Sequence, residues 1–322
     1  MKTIELILDH EMEGKTLEKL MKEELGLTKK QIRSAKFREQ GICINGIRQR
    51  ATARGRAGDC LSVCLEEDRR DTGKVLPVTG ALEILYEDGD VIAVNKPGGI
   101  PCHPGRGHYR DSLANRLAAY LQEKGESTLL RPVGRLDKDT SGVMVYAKST
   151  AAAARLFSQK EQGIFEKEYL ALAEGKMPES QGILAAPIGK MPGEKLKMQV
   201  SGHGKPALTK YRVLREREGY SLLRCRIFTG RTHQIRVHLS WTGHPIVGDV
   251  LYGNGENREE QGLALHSEKA VFCQPFTGER ILVSAPVPAV FPAWCREDYP
   301  EERTEKETGR KTGKEEPGWQ KW

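Results

Sequence analysis

Two carboxylates stand in a short charged segment that ends at a predicted buried strand. Asp137 and Asp139 are flanked by Arg135 and Lys138, and an apolar run at residues 143–146 follows directly. A carboxylate at the mouth of a sheet and beside a cation stays ionised, so it can act on a substrate. The same segment would also make an ordinary turn, in which acidic and hydroxyl side chains accept backbone hydrogen bonds. We favour the turn role for Asp139, and these residues alone leave both roles open for Asp137.

A second polar segment, at residues 229–239, carries two arginines and two histidines. Arg231 and Arg236 each have the planar guanidinium that binds a phosphate or pairs with a carboxylate. The histidines that a metal could use are His233, His238 and His244. Their spacings of five and six residues differ from the i, i+4 pair of a helical metal site. We therefore expect hydrogen-bonding or core histidines rather than metal ligands.

The usual cofactor and nucleophile motifs are absent from the sequence. It contains no Gly-x-x-x-x-Gly-Lys-Ser/Thr loop, no Gly-x-Gly-x-x-Gly turn between a strand and a helix, and no Gly-x-Ser-x-Gly elbow. Cys60 and Cys64 lack the second pair of ligands that a zinc site needs. These absences predict a site without metal or cofactor, built from a carboxylate, arginines and a tyrosine.

The elements that position these residues fall into a small N-terminal unit and a larger unit. In residues 1–65, Thr16 and Thr28 are placed to cap two short helices, and strand-like pieces follow at residues 42–44 and 61–63. This order resembles the αL RNA-binding motif, the S-four-like fold. The unit is also rich in basic residues that would bind RNA, namely Lys29, Lys30, Arg33 and Lys36.

Residues 81–295 alternate short strands and helices in an order typical of an α+β domain. A hairpin signal at residues 88–89 and several apolar strands predict a mixed, largely antiparallel sheet. Within a predicted helix at residues 151–162, we expect Leu156 and Phe157 to face inward.

Two segments outside these units have a different composition. Residues 66–80 are charged and rich in turn-forming residues, which predicts a linker. Residues 296–322 are rich in charge and poor in aliphatic side chains, which predicts a disordered tail.

The amino-acid composition limits the possible binding partners and the cellular location of the protein. With 51 basic and 44 acidic residues the net charge is +7, which fits a polyanionic partner or simple solubility equally well. The longest uncharged stretch, residues 281–295, contains three prolines and is too short to span a membrane. The acidic N-terminus is unlike a signal peptide, and seven scattered cysteines indicate reduced thiols. We expect a cytoplasmic protein without membrane contact.

Ordered motifs across residues 80–295 resemble those of the RluA-type pseudouridine synthases. Gly-Arg-Leu-Asp-Lys-Asp-Thr-Ser-Gly at residues 134–142 matches the Arg-Leu-Asp-x-x-Thr-Ser-Gly signature of that family. Further blocks follow the family's order at residues 94–97, 167–171, 230–236 and 245–249. Many members carry histidine where this chain has Gly134, a difference that we expect to alter packing more than chemistry.

The resemblance implies that the chain converts uridine to pseudouridine within RNA, an isomerisation that needs no cofactor. Asp137 would be the obligatory carboxylate, either adding covalently to the substrate or assisting elimination to a glycal. Arg231 would be the cation that keeps Asp137 ionised. Tyr169 would stack on the uracil, with a further role as a general base. From composition alone, Tyr169 would be an ordinary strand tyrosine.

The resemblance also implies how the RNA would be held. The target uridine must leave its stack, and Arg135 would fill the space that the base vacates. Lys96 and Arg236 would contact phosphates.

The identity of the RNA stays open at this stage. The N-terminal unit favours large-subunit ribosomal RNA, with transfer RNA as the alternative substrate. A catalytically silent RNA-binding protein and a nucleoside hydrolase that releases uracil are alternatives from other classes. We expect the protein to act as a monomer.

Overall fold

The computed structural model describes residues 2–65, 75–105, 107–126, 129–253 and 262–296. Most of the predicted linker and nearly all of the predicted tail lie outside these residues. The N-terminal elements are β1 (Lys2–Ile7), α1 (Leu17–Glu23), α2 (Lys29–Lys36), β2 (Ile42–Ile44), β3 (Ile47–Arg48) and β4 (Cys60–Leu65).

The larger unit contains the remaining strands and helices. They are β5 (Glu83–Glu87), β6 (Val91–Lys96), α3 (Leu113–Glu123), β7 (Arg131–Pro132), β8 (Ser141–Ala147), α4 (Thr150–Glu161), β9 (Glu166–Glu174), β10 (Gln181–Ala185), β11 (Ile188–Lys190), β12 (Met198–Val200), β13 (Leu208–Arg217), β14 (Tyr220–Ile227), α5 (Gln234–Trp241), β15 (Leu265–Cys273) and β16 (Arg280–Ser284). None of the helices described combines the length and the apolar character that crossing a membrane requires.

The N-terminal unit has its own sheet and its own core. Its four strands pair antiparallel in the order β1-β4-β2-β3, and Thr16 and Thr28 cap the two helices as predicted. The side chain of Thr28 accepts a hydrogen bond from the backbone N–H of Gln31, and the Gln31 side chain accepts one from the backbone N–H of Thr28, which completes a capping box. The sequence does not predict strand β1, because its six residues give only a short alternation of polar and apolar side chains.

The larger unit is built on a ten-stranded sheet, which confirms the predicted α+β class. The strand order is β10-β13-β14-β9-β15-β8-β6-β5, with β16 on β15 and β7 on β8. Its pairings are antiparallel except that of β15 with β8, which is parallel. The fold is therefore a mixed, largely antiparallel sheet.

Strand β8 is covered on both faces, which explains its continuous apolar run. Met144 and Tyr146 pack in the same cluster as α3, whereas Val143 and Val145 pack in the same cluster as α4. All four side chains are fully buried. A strand that is buried on both sides needs apolar residues at every position rather than at alternate ones.

Close approach of β8 and β15 fixes the segment that precedes β8. Ser141 pairs with His266 and Gly142 with Ser267, and the Ser141 hydroxyl lies 2.8 Å from Nδ1 of His266. Gly142 has a φ of 106°, and a Cβ there would overlap the carbonyl oxygen of Ser267. Only glycine allows both the conformation and the approach.

Helix α4 also joins the two units. Arg155 donates hydrogen bonds from Nε to the carbonyl of Leu25 and from a terminal nitrogen to that of Pro275, at 2.7 and 2.6 Å. Its guanidinium lies 4.5 Å from the ring centre of Phe276. The inward orientation predicted for Phe157 is wrong, since that side chain is 43% exposed while Leu156 is buried.

We expect Gly142→Ala to lower the free energy of unfolding by about 2–4 kcal/mol. The positive φ would strain the alanine backbone, and its Cβ would overlap the backbone of Ser267. Urea unfolding of the purified protein measures this change. Gly89→Ala is the matched control, because Gly89 lies in open space with no positive φ. Equal losses in the two variants would show that the approach of β8 to β15 is not constrained at Gly142.

Candidate active site

A cleft of about 770 Å³ lies where the loop before β8 meets the start of β9, the end of β14 and the start of α5. Its apolar walls include Leu136, Phe165, Ile235 and Leu265. Asp137 lines the same cleft, together with several lysines and arginines. A pocket with apolar walls and a few converging charged groups is the usual form of a small-molecule or nucleobase site.

Lys96, the last residue of β6, fixes the loop that carries Asp137. Its ammonium is fully buried and donates hydrogen bonds to the carbonyls of Pro97, Ile100 and Lys138, at 2.8, 2.8 and 2.7 Å. Burial lowers the pKa of Lys96 to about 8, against the opposing influence of nearby acidic groups. The predicted phosphate contact of Lys96 is wrong, since its three donors are all used inside the protein.

Cys102 holds the other side of the same loop. Its sulfur accepts a hydrogen bond from the backbone N–H of Leu136 at 3.3 Å and lies 3.2 Å from the Leu136 carbonyl oxygen. The hydroxyl of Tyr146 in turn donates to the Cys102 carbonyl at 2.6 Å. Asp137 therefore lies between two anchored neighbours, Leu136 and Lys138, and its backbone position is fixed.

Arg236 is the cation that faces Asp137. Its Nη1 lies 4.0 Å from Oδ2 of Asp137, and its Nε and Nη2 bind both carboxylate oxygens of Asp249 at 2.8 and 2.7 Å. Both Arg236 and Asp249 are almost completely buried. Burial lowers the pKa of Arg236, but the hydrogen bonds and charge of Asp249 outweigh it and raise the pKa. The guanidinium thus remains charged and fixed, and it is not available to a phosphate as predicted.

Arg231 lines the cleft but does not form the predicted ion pair with Asp137. Its Nε donates to the carbonyl of Pro206 at 2.9 Å, and its backbone N–H donates to Oε1 of Gln234 at 3.1 Å. The position beside Asp137 belongs to Arg236 instead. Sequence spacing could not separate the two arginines, because residues 234–241 form a helix that directs Arg236 inward.

Tyr169 lies at the start of β9, in the wall of the cleft, and is 5% exposed. Burial raises the pKa of its phenol, and the negative charge of Asp137 raises it further. The phenol is therefore neutral near pH 7. A neutral buried ring suits stacking on a base, whereas a general-base role would require the phenolate that this environment disfavours.

Arg135 is exposed and lines the cleft, two residues before Asp137. It follows Gly134, which has a φ of 80°. The side chain is therefore in contact with solvent at the cleft, where an RNA strand could reach it.

Each of the three histidines that were considered as metal ligands has its own hydrogen-bond partner. His238 is buried between the Thr209 hydroxyl and the Ala186 carbonyl, each at 2.9 Å. His244 bonds to the carbonyl of Glu174, and His233 to the hydroxyl of Tyr252. Within the described ranges, no group of three or more His, Cys, Asp or Glu side chains is arranged to hold a metal ion.

A cleft that holds a carboxylate beside a fixed cation has the form of an enzyme active site, and comparison with known proteins identifies the class as RNA pseudouridine synthases. Residues 90–241 match the family described as RNA pseudouridylate synthase. The chain is 36% identical over 298 residues to the uncharacterized RNA pseudouridine synthase YhcT of Bacillus subtilis, covering 91% of this chain and 96% of that protein.

Two further relatives extend this comparison. Ribosomal large subunit pseudouridine synthase D of Nitrosomonas europaea is 38% identical over 231 residues, covering 69% of this chain and 66% of that protein. The solved structure of human RNA pseudouridylate synthase domain containing 1 gives a TM-score of 0.54 at 30% identity, covering 66% of this chain and 85% of that one. The chain belongs to the RluA-type family of RNA pseudouridine synthases.

We expect Asp249→Asn to lower kcat by about 10–100-fold with little change in RNA affinity, because Arg236 loses the charge that fixes it. Pseudouridine formation and RNA binding are measured separately, at a temperature where circular dichroism shows the variant to be folded. Asp111→Asn, at an exposed carboxylate paired with His108, is the control. A folded Asp249→Asn protein with unchanged kcat would contradict this positioning role.

Proposed function

We propose that this RNA pseudouridine synthase modifies specific uridines of structured large-subunit ribosomal RNA, with Asp137 as the reacting carboxylate. The observation that carries the proposal is the setting of Asp137. Its side chain is 28% exposed to the cleft and faces the buried, charged guanidinium of Arg236 at 4.0 Å. The fixed positive charge attracts the carboxylate from one side, and the exposed part of the carboxylate can meet a ligand in the cleft.

A uridine stacked in RNA cannot reach this carboxylate, so the base must turn out of its helix at a cost of a few kcal/mol. The neutral ring of Tyr169 and the apolar walls of the cleft offer an environment that replaces the lost stacking. The exposed guanidinium of Arg135 can occupy the vacated position, since guanidinium planes stack well on bases.

The reaction then proceeds without any group leaving the cleft. The bond between C1′ of the ribose and N1 of uracil breaks, the uracil turns, and a bond forms between C1′ and C5. The proton lost from C5 is balanced by a proton gained at N1. Asp137 either attacks C1′ directly or removes a sugar proton to give a glycal, and both routes require the ionised carboxylate.

A hydrolase would need a second free carboxylate to activate water. Two further acids line the cleft: Glu166 is paired with Arg226 on the neighbouring strand β14, and Glu161 is exposed at the end of α4. Asp139, two residues from Asp137, is not part of the lining that the structure describes. The pairing of Glu166 and the exposed, unanchored position of Glu161 favour isomerisation over release of free uracil, because hydrolysis needs a second carboxylate fixed beside the bond.

The N-terminal unit supports a large RNA substrate. Lys29, Lys30 and Arg33 are exposed along α2, and Phe37 at its end is 81% exposed. Lys36 is also exposed but lies 2.8 Å from the carboxylate of Glu18. A basic helix face with an aromatic side chain at its end suits RNA.

The name of one relative bears on the choice of RNA. The Nitrosomonas relative is named for the large ribosomal subunit, and this favours ribosomal RNA over transfer RNA. A cytoplasmic location and a monomeric state remain predictions.

We expect Asp137→Asn to lower pseudouridine formation by at least about a hundredfold while RNA affinity is retained, because the amide neither attacks nor accepts a proton. Release of tritium from RNA labelled at C5 of uridine measures turnover. Asp139→Asn is the matched control. Equal activity of wild type and Asp137→Asn would disprove the mechanism, and binding without turnover in the wild type would favour the silent RNA-binding alternative.

We expect the double variant Lys29→Gln/Arg33→Gln to bind large-subunit ribosomal RNA more weakly than wild type. The slope of log affinity against log salt concentration should fall by about 1–2, because up to two phosphate contacts are lost. Lys19→Gln/Lys22→Gln on α1 removes the same charge from the same unit and serves as the control. Identical slopes in the two double variants would exclude α2 as an RNA-binding face.

A further inference from the structure

Two cations of the cleft, Lys160 and the exposed Arg135, have no acceptor among the residues that the structure describes. Three neighbouring cations are engaged within the protein: Arg226 with Glu166, Arg231 with the Pro206 carbonyl, and Lys167 with the Val143 carbonyl. The ammonium of Lys160 makes no hydrogen bond or ion pair with any residue that the structure describes. It nevertheless lines the same cleft as Asp137.

The backbone around Lys160 makes room for its ammonium. A Cβ on Gly134 would lie 3.0 Å from Nζ of Lys160, and a Cβ on Gly230 would lie 3.7 Å from it. The ammonium therefore stands between the loop that carries Asp137 and the loop that follows β14. Because position 134 is glycine, the lysine can reach across the wall of the cleft to this point.

Helix geometry does not account for this placement. Lys160 lies in the last turn of α4, where a cation interacts favourably with the helix dipole. The Lys160 and Ser158 carbonyls at this end already accept hydrogen bonds from the backbone N–H of Gln162. The lysine side chain extends into the cleft instead of returning to these carbonyls.

The surroundings of the ammonium favour an anionic ligand. The side chain remains accessible to solvent, yet the walls of the cleft crowd the ammonium and lower its pKa through partial burial. A cation that has lost part of its hydration, with no protein acceptor to replace it, gains most from a ligand oxygen. Arg135, next to Gly134, adds a second positive charge at the same rim.

We propose that Lys160 binds a phosphate of the RNA backbone next to the flipped uridine. Gly134 acts with it by leaving the space that the ammonium occupies. This inference rests on the proposed function, because it takes the ligand of the cleft to be RNA. A base that turns out of its helix carries its flanking phosphates toward the rim of the pocket, where Arg135 and Lys160 lie.

Three variants test the contact. Lys160→Met keeps most of the side-chain length and removes the charge, whereas Lys160→Arg keeps the charge. Lys176→Met is the control, because Lys176 is 81% exposed and follows the end of β9 that is remote from Tyr169. Turnover is measured on transcribed large-subunit ribosomal RNA by tritium release, and affinity by filter binding across a series of KCl concentrations.

We expect Lys160→Met to raise KM by about 10–100-fold with kcat nearly unchanged, the effect of losing one charge-assisted hydrogen bond. The salt slope of binding should fall by about 1, while Lys160→Arg and Lys176→Met keep the wild-type slope. An unchanged KM and slope would overturn the proposal. A loss confined to kcat would also overturn it, since that result assigns Lys160 to the base or the reaction.

Binding is also measured with Lys160→Met added to the Asp137→Asn protein, which does not turn over. This measurement separates the phosphate contact of Lys160 from the proposed function. If the wild type forms no pseudouridine, the proposed function fails, and the slope in the Asp137→Asn background still decides whether Lys160 contacts a phosphate.

Discussion

The attraction between the buried guanidinium of Arg236 and the carboxylate of Asp137 is the interaction on which the site depends. A buried cation is costly unless it is paired, and Asp249 supplies a two-point partner that leaves one nitrogen directed at Asp137. The cation cannot move away and cannot lose its proton. Asp137 therefore meets a fixed positive charge on one side and the open cleft on the other.

The sheet supplies the matching constraint on the carboxylate. Lys96 and Cys102 anchor the residues on either side of Asp137, and the parallel pairing of β8 with β15 fixes the strand that follows. Gly142 is essential to this pairing because a side chain would meet the backbone of Ser267. Rigid placement of both charges means that little reorganisation is needed when the substrate arrives.

The sequence predicted the parts that depend on local patterns. Capping side chains at Thr16 and Thr28 and the apolar run of β8 gave the correct elements, and ordered motifs gave the family. It did not predict which arginine faces Asp137 or that Lys96 is enclosed by carbonyls. Those facts depend on the helix at residues 234–241 and on contacts between segments more than forty residues apart, which spacing along the chain does not encode.

The most direct test of the account is a crystal structure of the Asp137→Asn protein bound to a uridine-containing RNA that the wild type modifies. We expect one uridine to be turned out of its helix, with its ribose against position 137, its uracil on Tyr169 and the Arg135 guanidinium in the vacated place. A uridine that stays stacked in its helix, or a ribose held against a different acid, would contradict it.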